Sequence, residues 1–161
     1  MIEKYFFEDL QIGDSWKSPA RTVTETDVVN FAGITGDFDP LHVDYEFARN
    51  SPYHRPIAHG LLGLAWAAGL ASQCPRVSTV AFVAVHQWEF RRPIYIGDTI
   101  HVVSTVVEKR PNGRRSGFVL WTRELINQEG STVQSGKFET LVATRLVSAN
   151  RSSTVRPQPV S

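Results

Sequence analysis

One segment of the chain dominates its folding: Gly60-Leu61-Leu62-Gly63-Leu64-Ala65-Trp66-Ala67-Ala68-Gly69-Leu70-Ala71-Ser72-Gln73. It is apolar on every side up to its last two residues, and a helix that is hydrophobic all round must be buried. Its glycines and alanines let neighbouring backbone approach closely, and Pro75 marks where it should stop. The sequence therefore predicts one buried helix over about 60–73.

The second half of the chain has the period of β-strands. Segments rich in β-branched and aromatic residues are separated by turn signals at 97–98, 111–113 and 127–130. The segments lie at 80–90, 99–109, 117–127 and 132–144, and a further strand is expected near 16–23. We therefore predict an α+β fold in which an antiparallel sheet wraps around one long central helix. Its outer face stays open unless a second subunit covers it.

Composition and charge place the chain among single globular domains. Of its 161 residues, 42% are apolar and 20% are charged. A net charge of +1 argues against nucleic acid as the main partner, and no apolar run approaches the ~18 residues of a bilayer span. With Cys74 as the lone cysteine and no secretory pattern, we expect a cytoplasmic protein. We predict one domain over 1–147 and a mobile polar tail over 148–161.

A shorter helix is expected before the central one. Thr24-Glu25-Thr26-Asp27 has the form of a capping box that opens a helix. Gly33 or Gly36 would close it, because glycine tolerates the positive φ of a C-terminal cap.

The segment Gly36-Asp37-Phe38-Asp39-Pro40-Leu41-His42 follows this helix and carries the first candidate site. Pro40 forbids a continuous helix through this segment, so we expect a loop after the glycine stop, where reactive side chains are often presented. Asp37 and His42 would supply the two titratable groups that acid/base catalysis needs. The alternative is that Asp37 caps a turn and His42 packs by chance.

The second candidate site is the start of the central helix, at His59 and Gly60. A helix N-terminus presents free N–H groups, and glycine lets a ligand carbonyl approach the backbone. Such a donor stabilises an oxyanion. The alternative is that Gly60 only eases packing and His59 is an ordinary helix-start residue.

Together the two segments resemble the signature of MaoC-like, R-specific enoyl-CoA hydratases. The match comprises Phe31, the run from Gly36 to His42 and Ala48, and it continues at 56–62 and 92–99. The resemblance covers roughly residues 8–145 in the same order. It implies a hot-dog fold whose subunits pair so that their sheets become continuous. It also implies a coenzyme A substrate, or sometimes an acyl-carrier-protein thioester.

The resemblance implies a catalytic Asp37 and His42, with the Gly60 N–H as oxyanion donor. Water would add reversibly to a trans-2-enoyl thioester to give an (R)-3-hydroxyacyl thioester, without cofactor or metal. We expect Asp37 to take the water proton and His42 to orient the water or to protonate C2. The expected substrate-binding residues are Phe38, Asp39, Pro40, His59, Leu61, Trp66 and Ala68.

Two positions depart from the family pattern. Asp39 stands where the family usually has Asn, and it either repels Asp37 as a like charge or accepts a hydrogen bond for the loop. With repulsion, Asp39→Asn should keep activity and move the acidic limb of the pH profile downward. Ala68 stands where several relatives have Ser, which leaves more room and puts a preference for short linear chains in doubt. Trp66 and Phe38 would line an acyl pocket or belong to the core.

Two other functions stay open: an acyl-CoA thioesterase on the same fold, and a non-catalytic subunit that binds acyl thioesters. The second would need a broken Asp37/His42 pair. Zinc-ligand spacings, nucleotide-binding glycine patterns and the nucleophile elbow are all absent from the sequence. We expect a homodimer, or a dimer of dimers or trimer of dimers. Candidates for binding coenzyme A phosphates are Arg91, Arg92, Arg114 and Arg115.

Overall fold

A computed structural model describes residues 4–146, so the tail predicted at 148–161 lies outside the described residues. Its helices are α1 (Glu25–Thr35), α2 (Pro40–Val43), α3 (Tyr45–Arg49) and α4 (Gly60–Ala71). Its strands are β1 (Ser15–Lys17), β2 (Arg21–Thr22), β3 (Thr79–Phe90), β4 (Thr99–Asn112), β5 (Ser116–Ile126) and β6 (Thr132–Ala143).

The strands form one antiparallel sheet in the order β1-β4-β5-β6-β3, and β2 pairs with the first residues of β4. The central helix α4 packs against β4 and β5. The inner positions of β5 alternate with half-exposed ones along the strand, as expected for a sheet with one face on a core. The α+β prediction, a sheet around one central helix, is confirmed.

The helix α4 is buried, as its composition predicts. Its buried residues are Leu62, Gly63, Trp66, Ala67 and Ala71. Each large apolar side chain buried in this way contributes roughly 1.5–3 kcal/mol to folding. No helix within residues 4–146 combines the length and the apolarity that a bilayer crossing requires.

One polar side chain joins the sheet to the start of α4. The Nε2–H of Gln134 donates to the Gly60 carbonyl oxygen over 3.0 Å, and its Oε1 accepts from Trp88 Nε1 over 3.1 Å. A Cβ at Gly63 would overlap the Gln134 amide, so only glycine leaves room for it. Gln134 on β6 therefore links β3 to the first turn of α4.

Three boundaries differ from the prediction. The helix α4 ends at Ala71 rather than at 73, and the strand expected over 16–23 is two short strands, β1 and β2. Pro111 was expected in a turn but lies inside β4, opposite Gly117, and the turn follows at 113–115. At that end β4 has a partner strand on one side only, and an edge position of this kind is where a sheet tolerates proline.

The edge strand β3 is both apolar and exposed. Five of its large apolar residues are 44–59% exposed: Val80, Phe82, Val83, Val85 and Phe90. An exposed apolar edge strand is a ready surface for association. The described residues thus leave uncovered the strand that a second subunit would pair with.

Candidate active site

The helix α1 ends immediately before the first candidate residue. It begins at a reciprocal cap, in which Thr24 Oγ1 accepts from Asp27 N–H and the Asp27 carboxylate accepts from Thr24 N–H. It ends at Gly36, whose φ of +79° is left-handed and whose N–H donates to Ala32 O over 2.8 Å. The predicted caps are confirmed, and Asp37 comes directly after a well-defined helix end.

The segment Pro40–Val43 is helical where a loop was expected. Asp39 Oδ1 accepts from Leu41 N–H over 2.8 Å, and Pro40 occupies the first position of α2. Proline is favoured there because its fixed φ suits the helix and the N–H it lacks would have no partner. The loop prediction is therefore wrong from Pro40 onward, and His42 lies on a helical turn. Asp39 serves as the hydrogen-bond acceptor of that turn.

The orientation of His42 is set by a backbone carbonyl. Its Nδ1 lies 2.7 Å from Ile57 O. A carbonyl oxygen only accepts, so Nδ1 carries the proton. In the neutral ring Nε2 is then a free acceptor, and the ring is half-buried.

His59 holds the motif against the start of α4. It is 2% exposed, and its ring stacks on His42 with centroids 3.8 Å apart. Its Nε2–H donates to the main-chain oxygen of Asp37 over 2.9 Å. Its Nδ1 is buried with no hydrogen-bond partner among the described residues. His59 therefore positions both His42 and the backbone of Asp37.

Asp37, His42 and His59 each bring one ligand-type atom within 4.8 Å of the others. Asp37 is exposed, His42 half-buried and His59 buried, so the group opens to solvent at Asp37. The structure thus brings the two residues of the predicted pair together. Within residues 4–146 the same three side chains would be able to hold a metal ion.

Gly60 is the first residue of α4, and its N–H has no acceptor among the described residues. The first N–H groups of a helix have no intrahelical partner, so this donor is available to a ligand. A Cβ at Gly60 would lie 3.1 Å from the Phe90 ring, and the Gln134 amide donates to the Gly60 carbonyl oxygen. The residue that carries the donor is therefore positioned by contacts with β3 and β6.

A cleft of about 250 Å³ opens beside His42 and Gly60, and Phe90, Arg91 and Arg92 also line it. Two larger clefts of about 400 and 460 Å³ contain neither His42 nor Gly60. The smaller cleft is the candidate active site, because it joins a titratable ring to a free backbone donor.

The expected substrate-binding residues fall into two groups. Phe38, Pro40 and Leu61 are exposed around the motif and the first turn of α4. Trp66 on α4 is buried in the main core cluster, and Ala68 packs against a second core cluster. Trp66 therefore fits the core alternative, whereas Phe38 and Leu61 remain candidates for contact with a substrate.

Sequence reasoning missed Gln134 as a residue of the site. The sequence offers no local signal for it, because Gln134 lies among the polar residues Thr132, Ser135 and Lys137. Its partner Gly60 lies 74 positions earlier, which no local pattern reveals.

Comparison with known proteins gives the family. The model of the MaoC like domain matches residues 9–128. The (R)-specific enoyl-CoA hydratase of Rhodospirillum rubrum is 31% identical over 142 residues, which cover 88% of this chain and 94% of that protein. The 3-hydroxybutyryl-CoA dehydratase of Methylorubrum extorquens is 38% identical over 114 residues, covering 69% of each. Protein MaoC of Klebsiella aerogenes is 36% identical over 111 residues, 69% of this chain but only 33% of its own length.

Solved structures agree with this assignment. The Monoamine oxidase regulatory protein from Archaeoglobus fulgius superposes with a TM-score of 0.82 at 38% identity, covering 89% of this chain and 98% of that one. A Mycobacterium tuberculosis protein described as a double hotdogfold, at 20% identity, superposes with a TM-score of 0.78 over 98% of this chain and 47% of its own, and supports the fold alone. With the family model matched over most of the chain, this protein belongs to the MaoC-like dehydratase family.

Proposed function

We propose that this chain adds water reversibly to a trans-2-enoyl thioester, giving an (R)-3-hydroxyacyl thioester, as a hydro-lyase of fatty acid metabolism. The observation that carries the proposal is the grouping of Asp37 and His42 within 4.8 Å, with His42 lining the same cleft as the free N–H of Gly60. A carboxylate, an imidazole and an oxyanion donor are the parts that hydration needs. The chemistry uses no cofactor beyond the coenzyme A of the substrate.

The hydrogen bonds of His42 suggest how the two side chains divide the work. Because Nδ1 donates to Ile57 O, neutral His42 accepts a hydrogen bond from water at Nε2. Asp37 takes a proton from that water as the water oxygen bonds to C3. The π electrons of C2=C3 move toward the thioester carbonyl, whose developing negative charge the Gly60 N–H stabilises.

Return of the same proton from Asp37 to C2, on the same face, completes a syn addition and restores the carboxylate. Of the two roles that the sequence left open for His42, this mechanism uses water orientation. The reverse sequence of steps dehydrates the 3-hydroxyacyl thioester.

Coenzyme A is the proposed carrier of the acyl group. Arg92 lines the cleft beside Gly60 and has no ion-pair partner among the described residues, whereas Arg91 is paired with Glu89. An unpaired guanidinium suits a phosphate of coenzyme A. Two relatives are also named for coenzyme A substrates. Arg92→Gln should raise KM for crotonyl-CoA, and an unchanged KM would favour a carrier-protein substrate.

The proposed assembly is a homodimer joined through β3, or a dimer of dimers or trimer of dimers built from it. Pairing of β3 with its copy would cover the apolar edge and satisfy its free backbone groups. We also propose a cytoplasmic location, because a lone Cys74 suits a reducing compartment. Sedimentation should give a species of at least twice the 18.0 kDa chain mass.

The deciding assay uses crotonyl-CoA and follows two signals, the enoyl absorbance and the free thiol. Hydration removes the absorbance and releases no thiol, whereas a thioesterase releases one thiol per substrate. Tight binding without turnover, unchanged in Asp37→Asn, would instead identify a binding subunit. A panel of enoyl and 3-hydroxyacyl chains then defines chain length and direction.

The same assay tests the metal-free mechanism. Dialysis against a chelator should leave the rate unchanged. A rate that falls and returns with zinc would assign Asp37, His42 and His59 to a metal ion instead.

A further inference from the structure

Arg123 is a buried arginine on the inner face of the sheet. It lies on β5 between the buried residues Trp121 and Leu125 and is only 6% exposed. Its guanidinium carbon lies 4.2 Å from the centroid of the Phe138 ring. Burial lowers the pKa of Arg123 to about 10, so the side chain keeps its charge at neutral pH.

The described residues supply no anion to this charge. Within residues 4–146 Arg123 forms no ion pair, and its Nε and Nη1 are buried without a hydrogen-bond partner. Arg110, by contrast, lies 2.6 Å from Glu139. A buried charge without a partner is strongly unfavourable, so the arrangement calls for an acceptor.

Arg123 lines a cavity of about 140 Å³ together with a second unpartnered group. Ser104 Oγ is buried there without a hydrogen-bond partner among the described residues. Thr140 Oγ1 accepts from Trp121 Nε1 over 2.9 Å, which leaves its own O–H to donate. Hydrogen-bond donors therefore converge on this space. The rest of the wall is largely apolar, formed by Ala71, Pro75, Val77 and Phe82.

This cavity is separate from the cleft beside His42. Ala71 and Ser72, which line it, lie at the C-terminal end of α4, whereas Gly60 lies at the other end. A helix of 12 residues spans about 18 Å. Neither His42 nor Gly60 lines the cavity.

We propose that this cavity binds the carboxylate of a small organic acid, with Arg123 as the cation and Ser104 as a second donor. A guanidinium binds a carboxylate through parallel, charge-assisted hydrogen bonds. The apolar wall suits a short alkyl group rather than a fully hydrated inorganic anion. A cavity of ~150 Å³ holds benzene in an engineered protein, so an occupant of about four to six non-hydrogen atoms fits. Butyrate is of this size.

The test is calorimetric titration of the full chain at neutral pH with butyrate and with butyramide, its uncharged analogue of the same shape. Butyrate should bind the wild type, and butyramide should bind about tenfold more weakly or not at all. Arg123→Met should weaken butyrate binding by about tenfold or more. Ser104→Ala, which keeps the charge, should weaken it by a few-fold.

Arg110→Met is the matched control, because it removes an arginine that is already paired with Glu139, and it should bind butyrate as the wild type does. Circular dichroism checks the fold of each variant. If Arg123→Met does not fold, the comparison of butyrate with butyramide and the Ser104→Ala variant still test whether the cavity binds a carboxylate. Equal binding of butyrate and butyramide, or no binding of either, would overturn the proposal. Water or a carboxylate of a second copy would then be the occupant of the cavity.

The carboxylate belongs either to a free acid or to the far end of an acyl chain, and a second experiment distinguishes these two sources. This second experiment rests on the proposed hydratase activity, whereas the titration does not. We would compare KM for enoyl-CoA substrates with and without a terminal carboxylate, at equal chain length. A KM ratio that changes about tenfold in Arg123→Met assigns the site to the acyl end, and an unchanged ratio assigns it to a free acid.

Discussion

The two ends of α4 treat polar groups in opposite ways. At the N-terminal end, His42 and His59 each donate to a backbone carbonyl, and the charged Asp37 is exposed to solvent. At the C-terminal end, the charged Arg123 is buried and has no anion among the described residues. At the N-terminal end, hydrogen bonds within the chain orient the polar side chains. At the C-terminal end, a buried charge is left for a ligand to neutralise.

The difference between the two ends of α4 indicates a different role for each. Backbone hydrogen bonds orient the candidate acid/base groups before any substrate arrives, as catalysis requires. An unpaired buried cation stores unfavourable free energy that binding can release. The first arrangement favours chemistry and the second favours recognition.

The largest expected effect is on turnover at the N-terminal end. Asp37→Asn should lower the hydration rate by about 10³-fold, because an amide cannot take the water proton. Stability should change little, since Asp37 is exposed. Steady-state kinetics and a thermal melt measure the two effects. Asp44→Asn is the control, because Asn caps α3 as well as Asp does and should keep activity. A comparable loss of hydration rate in both variants would contradict a catalytic role for Asp37.

The next effect is on the packing between α4 and the sheet. Gly63→Ala should cost about 1–3 kcal/mol in the free energy of unfolding, because the new Cβ overlaps the Gln134 amide. Gly69→Ala on the same helix has no atom within 4 Å of the new Cβ and should be neutral or stabilising by up to about 1 kcal/mol. Urea denaturation compares the two variants. Equal effects would contradict the close packing.

At the C-terminal end, Arg123→Met should raise stability by about 1–2 kcal/mol at neutral pH without ligand, because it removes an uncompensated buried charge. The folded pKa of about 10 lies well below the ordinary value for an arginine. Between those values the unfolded chain holds more protons, so wild-type stability should rise with pH and the gap to the variant should narrow. Denaturation of both proteins at pH 7 and above pH 10 measures this difference in the free energy of unfolding. A destabilised variant would mean that Arg123 already has a partner.

The smallest effect is expected at Asp39. Asp39→Asn should retain activity within about twofold, because Asn caps α2 as Asp does. Asp39→Ala should lose about 1 kcal/mol of stability and raise KM, because the turn that carries His42 loses its cap. Kinetics and melts on both variants decide. A large rate loss in Asp39→Asn alone would give the charge of Asp39 a direct role.

Local patterns predicted the parts of the molecule that local interactions build. The caps at Thr24 and Gly36, the buried α4 and the four long strands all follow from neighbours in sequence. The helical turn at Pro40 was missed because a proline was taken only as a helix breaker, although it is also a good first residue.

Long-range contacts account for what the sequence did not reveal. The 15-residue separation between His42 and Ile57 and the 74-residue separation between Gln134 and Gly60 leave no periodic signal. Arg123 falls on the inward phase of β5, but an arginine is ordinarily assigned to the outside of a protein. Only the coordinates reveal that its charge is enclosed.

The interlock of Gly63 with Gln134 limits how this fold can be recombined. A chimaera that takes α4 from one relative and β6 from another inherits two surfaces shaped for different partners. If the new helix carries a side chain at position 63, that side chain overlaps the Gln134 amide. The hydrogen bond from Gln134 to the Gly60 carbonyl oxygen is then lost. Crossover points for engineered hybrids should therefore keep α4 and β6 from the same parent.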